Sequence, residues 1–145
     1  MIKLDSNQRL FRGGTPVIWD QARWPNFTRA ELSCRHCGDY IHDIEFLDNL
    51  QALRERMQGS VRILSGHRCA LHNARVGGAP LSQHLTMAVD VDISTHNRRD
   101  LAAAARDVGF AGFGYYRSFL HLDMGRPRFW YGSEKARKIW QTFLD

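Results

Sequence analysis

Two histidines and three aspartates fall in two short, mostly apolar stretches, Ser82-Gln-His-Leu-Thr-Met-Ala-Val-Asp-Val-Asp92 and Phe119-Leu-His-Leu-Asp123. Apolar stretches of this length become buried strands. A carboxylate in a buried strand is costly unless it is paired or bound to a metal. Imidazole and carboxylate are zinc ligands, and a catalytic zinc keeps three protein ligands with a fourth position open. The residue types therefore point to a His/Asp/His metal centre. Side chains alternate across a strand, so His121 and Asp123 share one face with Phe119, opposite Leu120 and Leu122. Asp90 and Asp92 share a face in the same way, opposite Val89, Val91 and Ile93. The competing reading is a loop histidine at position 84 with solvated acids on an open sheet face.

The elements that must position these residues are legible in outline. The spacing predicts a helix over 44–57, with Phe46, Leu47, Leu50, Leu53 and Met57 on one face. Asp43 is its expected N-cap, and Gly59 its expected end. A second helix is expected over 98–108, capped by Asn97 and stopped by Gly109. Thr28, with Glu31 three residues later, signals a short capped helix. Ser133 should cap a C-terminal helix reaching about Phe143. Strands are expected at 61–64, 88–93, 112–116, 118–123 and 129–131, with a helical turn at 71–75 and a loop over 76–80. Residues 1–30 carry Gly13-Gly14, Pro16 and Pro25 and should form an irregular arm, pinned by Trp19, Trp24 and Phe27. The expected architecture is one α+β domain over 1–145, a small antiparallel sheet flanked by helices.

Composition narrows the function classes. At 145 residues the chain can bury one sizeable core. No apolar run approaches the length of a membrane helix, so no membrane insertion is expected. Met1-Ile-Lys-Leu-Asp-Ser-Asn has no signal-peptide core, which implies synthesis and retention in the cytoplasm, or exit by a route the chain does not encode. The net charge of +5 would suit an anionic partner. The basic residues are scattered without interleaved aromatics, so nucleic acid is not the expected partner. Cys34-Arg-His-Cys37 has the spacing of a metal knuckle but lacks a second such pair. Three readings stay open: a metal site completed by His36, His42 or Cys69, a disulfide from Cys69, or reduced thiols.

The motifs also follow a known pattern. In order, Ser65-Gly-His-Arg68, His72-Asn73, Val76-Gly-Gly-Ala79, Ser82-Gln-His84, Ala88-Val-Asp90, Gly112-Phe-Gly-Tyr115 and Phe119-Leu-His-Leu-Asp123 resemble the zinc D-Ala-D-Ala peptidases. That family includes carboxypeptidases, murein endopeptidases and phage endolysins of the hedgehog/D,D-peptidase fold. The resemblance runs from about Thr28 to Trp130. It implies His84 and His121 as zinc ligands, with an aspartate after Ala-x as the third. It implies Arg68 as the arginine that binds a substrate carboxylate, a role suited to a bidentate guanidinium. It implies Ser82 as a serine that hydrogen-bonds substrate or orients the site, against a turn-stabilising hydroxyl. Tyr115 or Tyr116 could line the cleft.

Two departures sharpen the expectations. The family usually has His-x-x-Gly-x-Ala-x-Asp, whereas here Met87 stands near the glycine and the spacing is one residue shorter. Keeping Ala-x-Asp in register makes Asp90 the third ligand, with a tightened turn at Thr86-Met87; Asp92 is the alternative. Positions where family branches carry a general base hold Ser118 and Phe119. That leaves Asp123 either as the catalytic proton acceptor or as a carboxylate that orients a ligand. The resemblance thus implies a zinc peptidase acting as a monomer on peptidoglycan peptides, endolysin-like, with Arg68 and Asp123 catalytic and Arg68, Ser82 and Tyr115 on the substrate. It would reach the wall through phage lysis or particle delivery. The alternatives are a non-catalytic zinc module of the same fold and a nucleic-acid binder built on the Cys34/Cys37 knuckle.

Overall fold

A computed structural model describes residues 4–79 and 81–144. In chain order the elements are β1 (Gln8–Phe11), α1 (Arg29–Leu32), β2 (Tyr40–Asp43), α2 (Ile44–Met57), β3 (Ile63–Ser65), α3 (Ala70–Arg75), β4 (Ala88–Asp92), α4 (Arg98–Val108), β5 (Gly112–Tyr115), β6 (Phe119–Asp123), β7 (Arg128–Tyr131) and α5 (Glu134–Leu144). A 3-10 turn, Gln83–Leu85, precedes β4. Among the described residues, no helix is long and apolar enough to cross a membrane.

The α+β class holds. The main sheet has five strands in the order β3-β4-β6-β5-β7. It is antiparallel except at β7, which runs parallel to β5. One face carries Val89, Val91, Phe113, Tyr115, Leu120 and Leu122 into the core. The other face carries Asp90 and His121. This is the period-2 pattern that the apolar residues impose on strands covered on one side.

Helices cover the apolar face. The Asp43 side chain accepts from Phe46 N and caps α2, which buries Phe46, Leu47, Leu50 and Leu53. Each such side chain contributes about 1.5–3 kcal/mol on leaving water. Helix α2 packs on α4, which is capped by Asn97 and buries Leu101, Ala102 and Ala105. Helix α4 in turn meets α5, where Ser133 Oγ accepts from Ala136 N and Trp140 is fully buried. Thr28 and Glu31 form the expected capping box on α1.

Three expectations are corrected. Helix α2 ends on Gln58 in the left-handed region (φ 54°), one residue before the expected Gly59. The arm is not irregular throughout, because β1 pairs antiparallel with β2. Strand β1 has no buried residue, so its sequence shows no apolar alternation; backbone pairing holds it, with a Gln8–Asp43 hydrogen bond of 3.1 Å at one end. Trp24 and Phe27 do pin the arm, both buried. The third correction is β7, expected in an antiparallel sheet and found parallel. Of the expected N-terminal and 76–80 segments, Met1–Lys3 and Pro80 lie outside the described residues.

The segment after β3 is squeezed against α1. His67 N donates to Leu32 O at 3.0 Å, and a Cβ on Gly66 would lie 2.6 Å from that same oxygen. Backbone rather than a flexible side chain fills that space. Gly66→Ala should therefore lower stability by about 1–3 kcal/mol, as overpacking does. Urea unfolding checks this, and an unchanged midpoint would show that the contact is slack.

Candidate active site

Strand pairing builds the centre of the site. Asp90 on β4 stands directly opposite His121 on β6. His84 arrives from the 3-10 turn, where Ser82 Oγ accepts from His84 N at 3.1 Å. Thr86 closes that turn, its N donating to Gln83 O at 3.0 Å. His67 Nδ1 donates to Thr86 O at 3.0 Å and holds the turn from behind.

The hydrogen bonds fix where the ring protons lie. His84 Nδ1 is 2.7 Å from the Gly66 carbonyl, which can only accept, so Nδ1 carries the proton. His121 Nε2 is 2.6 Å from Asp123 Oδ2 and donates to it. The inward nitrogens, His84 Nε2 and His121 Nδ1, therefore present lone pairs. They lie 3.2 Å apart, and Asp90 Oδ1 is 3.0 Å from the first and 3.3 Å from the second. Three acceptors face one another with no donor among them when both rings are neutral. Such a cluster can hold a metal cation. Ligand atoms about 2.0–2.1 Å from a tetrahedral zinc are about 3.3 Å apart, which is the spacing seen here. The donor set fits zinc.

Charges around the centre shift accordingly. When the two inward ring nitrogens carry protons instead of facing an ion, burial still pushes the Asp90 carboxyl up, but the bonds donated by His121 and His84 outweigh this and hold it well below the usual carboxylate range. Burial likewise opposes Asp123, and the His121 and Arg128 bonds to it prevail, again holding it low. His121 is displaced upward: burial lowers it, while Asp123 and Asp90 raise it by more.

Asp123 does not face the reacting space. Its side chain is fully buried behind His121. Oδ1 accepts from Gly125 N at 2.9 Å and Arg128 Nη1 at 2.7 Å. Oδ2 accepts from Arg128 Nη2 at 2.7 Å and from His121. Both oxygens are thus engaged and buried, the geometry of a carboxylate that orients a ligand rather than of an accessible proton acceptor. Asp92 points away from the centre, accepting from Ser94 N at 2.9 Å and pairing with Arg62.

The remaining expected residues divide. Arg68 lies beside the centre, Nη2 3.4 Å from Asp90 Oδ2, with Nη1 3.1 Å from Asn73 Oδ1. Ser82 both caps the turn and lines the cleft. Tyr115 is misplaced as a substrate contact: it is 3% exposed and packs against Trp140 and Tyr131 on the core face. Strand alternation puts it with Phe113, away from the metal ligands. Its neighbour Tyr116 lines the cleft instead, together with Trp130 and Phe119. The cleft holds about 380 Å³, and Asp90 is the sole carboxylate among its described lining residues.

Arg128 and Trp130 had not been singled out in the sequence. They alternate on β7, paired with Gly112 and Gly114 of β5. A Cβ on Gly114 would come within 2.6 Å of Trp130, and one on Gly112 would clash with Arg128 and Asp123. The Gly-Phe-Gly-Tyr spacing was the available signal: two glycines on the site face leave room for large side chains to lie across the sheet. Trp130 uses that room to pack on His121, ring centroids 4.9 Å apart.

The profile of the family described as Peptidase M15 matches residues 25–123, and no curated protein matches the sequence. The matched stretch contains His84, Asp90, His121 and Arg68 on the elements just described. The chain belongs to the Peptidase M15 family, the zinc D-Ala-D-Ala carboxypeptidases.

Proposed function

We propose that this chain is a zinc-dependent peptidoglycan peptidase that hydrolyses stem peptides or their cross-links, an endolysin-like enzyme of a phage or prophage. The convergence of three ligand atoms within 4.8 Å of one another, His84 Nε2, Asp90 Oδ1 and His121 Nδ1, carries the proposal. These three would hold the ion. When bound, a zinc ion would supply water activation and Lewis-acid polarisation of a scissile carbonyl.

The chain's own groups do the rest. The Gly66 carbonyl and Asp123 take the outward ring protons, which keeps both inward lone pairs available. Arg128 grips Asp123 through two nitrogens and so fixes the His121 ring. Arg68 would receive a peptide carboxylate. Two guanidiniums, Arg68 and Arg128, balance Asp90 and Asp123, so a bound dication leaves the cleft cationic. That charge favours a substrate ending in a carboxylate, as a stem peptide does. Tyr116 Oη accepts from Trp130 Nε1 at 3.0 Å, which leaves its own proton free to donate into the cleft.

Incubation with purified peptidoglycan should release peptide fragments whose masses name the bond cut. His84→Ala and a chelator should each abolish release, and cleavage surviving either would sink the zinc-peptidase reading. Asp90→Ala should lose the ion of this site while Asp92→Ala keeps it; equal occupancy by metal analysis would reject Asp90 as ligand. Asp123→Asn should weaken metal binding at this site about 10–100-fold, the usual cost of losing an orienting partner. The same variant bears on acid stability of the metal-free protein. Asp90 and Asp123 are depressed when folded, so their contribution is complete above the ordinary value of 3.8 and is lost as pH falls below it. Asp123→Asn should shrink that acid-limb loss. An unaltered acid limb in thermal melts would remove Asp123 from this role.

A further inference from the structure

A second cluster of ligands lies outside the site described above. Cys34 and Cys37 follow α1, and Cys69 follows Arg68 directly. The fold brings the three sulfurs within 4.8 Å of one another. The loop that carries the first two is closed on itself, with Gly38 N donating to Cys34 O at 2.9 Å and Cys34 N to Asp39 O at 2.8 Å. Backbone amides point at the sulfurs: Cys69 N is 3.3 Å from Cys34 Sγ, and His72 N is 3.4 Å from Cys69 Sγ. An imidazole stands at hand, His36 Nδ1 3.6 Å from Cys69 Sγ. The His72 ring lies parallel against His36, with centroids 6.3 Å apart. His42 is elsewhere, bonded to Tyr40 Oη and packed on Trp24.

The geometry decides between the open readings of these cysteines. A disulfide would use two sulfurs and strand the third beside them. A tetrahedral zinc with sulfur at about 2.3 Å and nitrogen at about 2.0–2.1 Å uses all three, with sulfur–nitrogen edges of about 3.6 Å. Soft thiolates with one imidazole select zinc over hard cations. We propose that Cys34, Cys37 and Cys69 hold a second, structural zinc ion, with the fourth corner taken from the His36–His72 stack, His36 being the nearer. Four protein ligands leave no open position, so this ion does no chemistry. It ties the segment after α1 to the loop that presents Arg68, and so sets where the guanidinium sits.

The test reads metal rather than activity, and it is independent of the peptidase reading. Full-length protein purified under reducing conditions should carry about two zinc ions per chain. The His84→Ala/His121→Ala variant should keep one and, loaded with cobalt(II), show the near-ultraviolet thiolate-to-cobalt charge-transfer band of a tetrahedral site. Cys34→Ser/Cys37→Ser should lack that band and melt at a lower temperature. If this cysteine variant fails to fold, the cobalt spectrum of the histidine variant decides alone. A histidine variant without the band, or anaerobically prepared protein lighter by two hydrogens from a disulfide, would overturn the proposal.

Discussion

Asp90 and His121 face each other across β4 and β6, and the surrounding structure binds the outward ring protons so that the inward nitrogens can turn lone pairs to the space between them. Bringing lone pairs together in a buried site is unfavourable in isolation. It is sustained because each outward ring proton has a dedicated acceptor. For His84 that acceptor is the backbone carbonyl of Gly66. For His121 it is a carboxylate held in turn by Arg128 and Gly125 N. The order of dependence runs outward from the strand pair, through the ring tautomers, to a shell of fixed charges.

Much of this order was legible in the residues. Alternation in Phe119–Asp123 and Ala88–Asp92 puts the acids on one face, and the structure agrees. It could not say how far round that face each acid points. Asp123 shares its face with His121 yet turns behind the ring, because Arg128, reaching across β5 from β7, captures both its oxygens. That capture depends on β7 running parallel beside β5, a pairing between segments with no local signal. Tyr115 was misassigned for a simpler reason. Strand β5 alternates glycine with aromatic residues, and the glycines, not the aromatics, occupy the site face.

The helices were easier to read because their signals are local. Asp43, Asn97, Thr28 and Ser133 cap where their types and the following apolar periods indicate. Strand β1 shows the opposite limit. With no buried residue, it has no pattern to read, and its pairing with β2 is a tertiary fact. The cysteine cluster is of the same kind: spacing alone left three readings open, and only the fold brings Cys69 to the Cys34–Cys37 loop.

One backbone contact joins the two halves of the site. Arg68 N donates to His84 O at 2.7 Å, while the Arg68 side chain reaches Asp90. The group that would receive a carboxylate and the groups that would hold the ion therefore share one mechanical frame. Thermodynamic linkage makes such sharing reciprocal: if occupation of one tightens the other, the second tightens the first by the same factor. Recognition of a substrate's end and retention of a metal would then be two readouts of a single equilibrium.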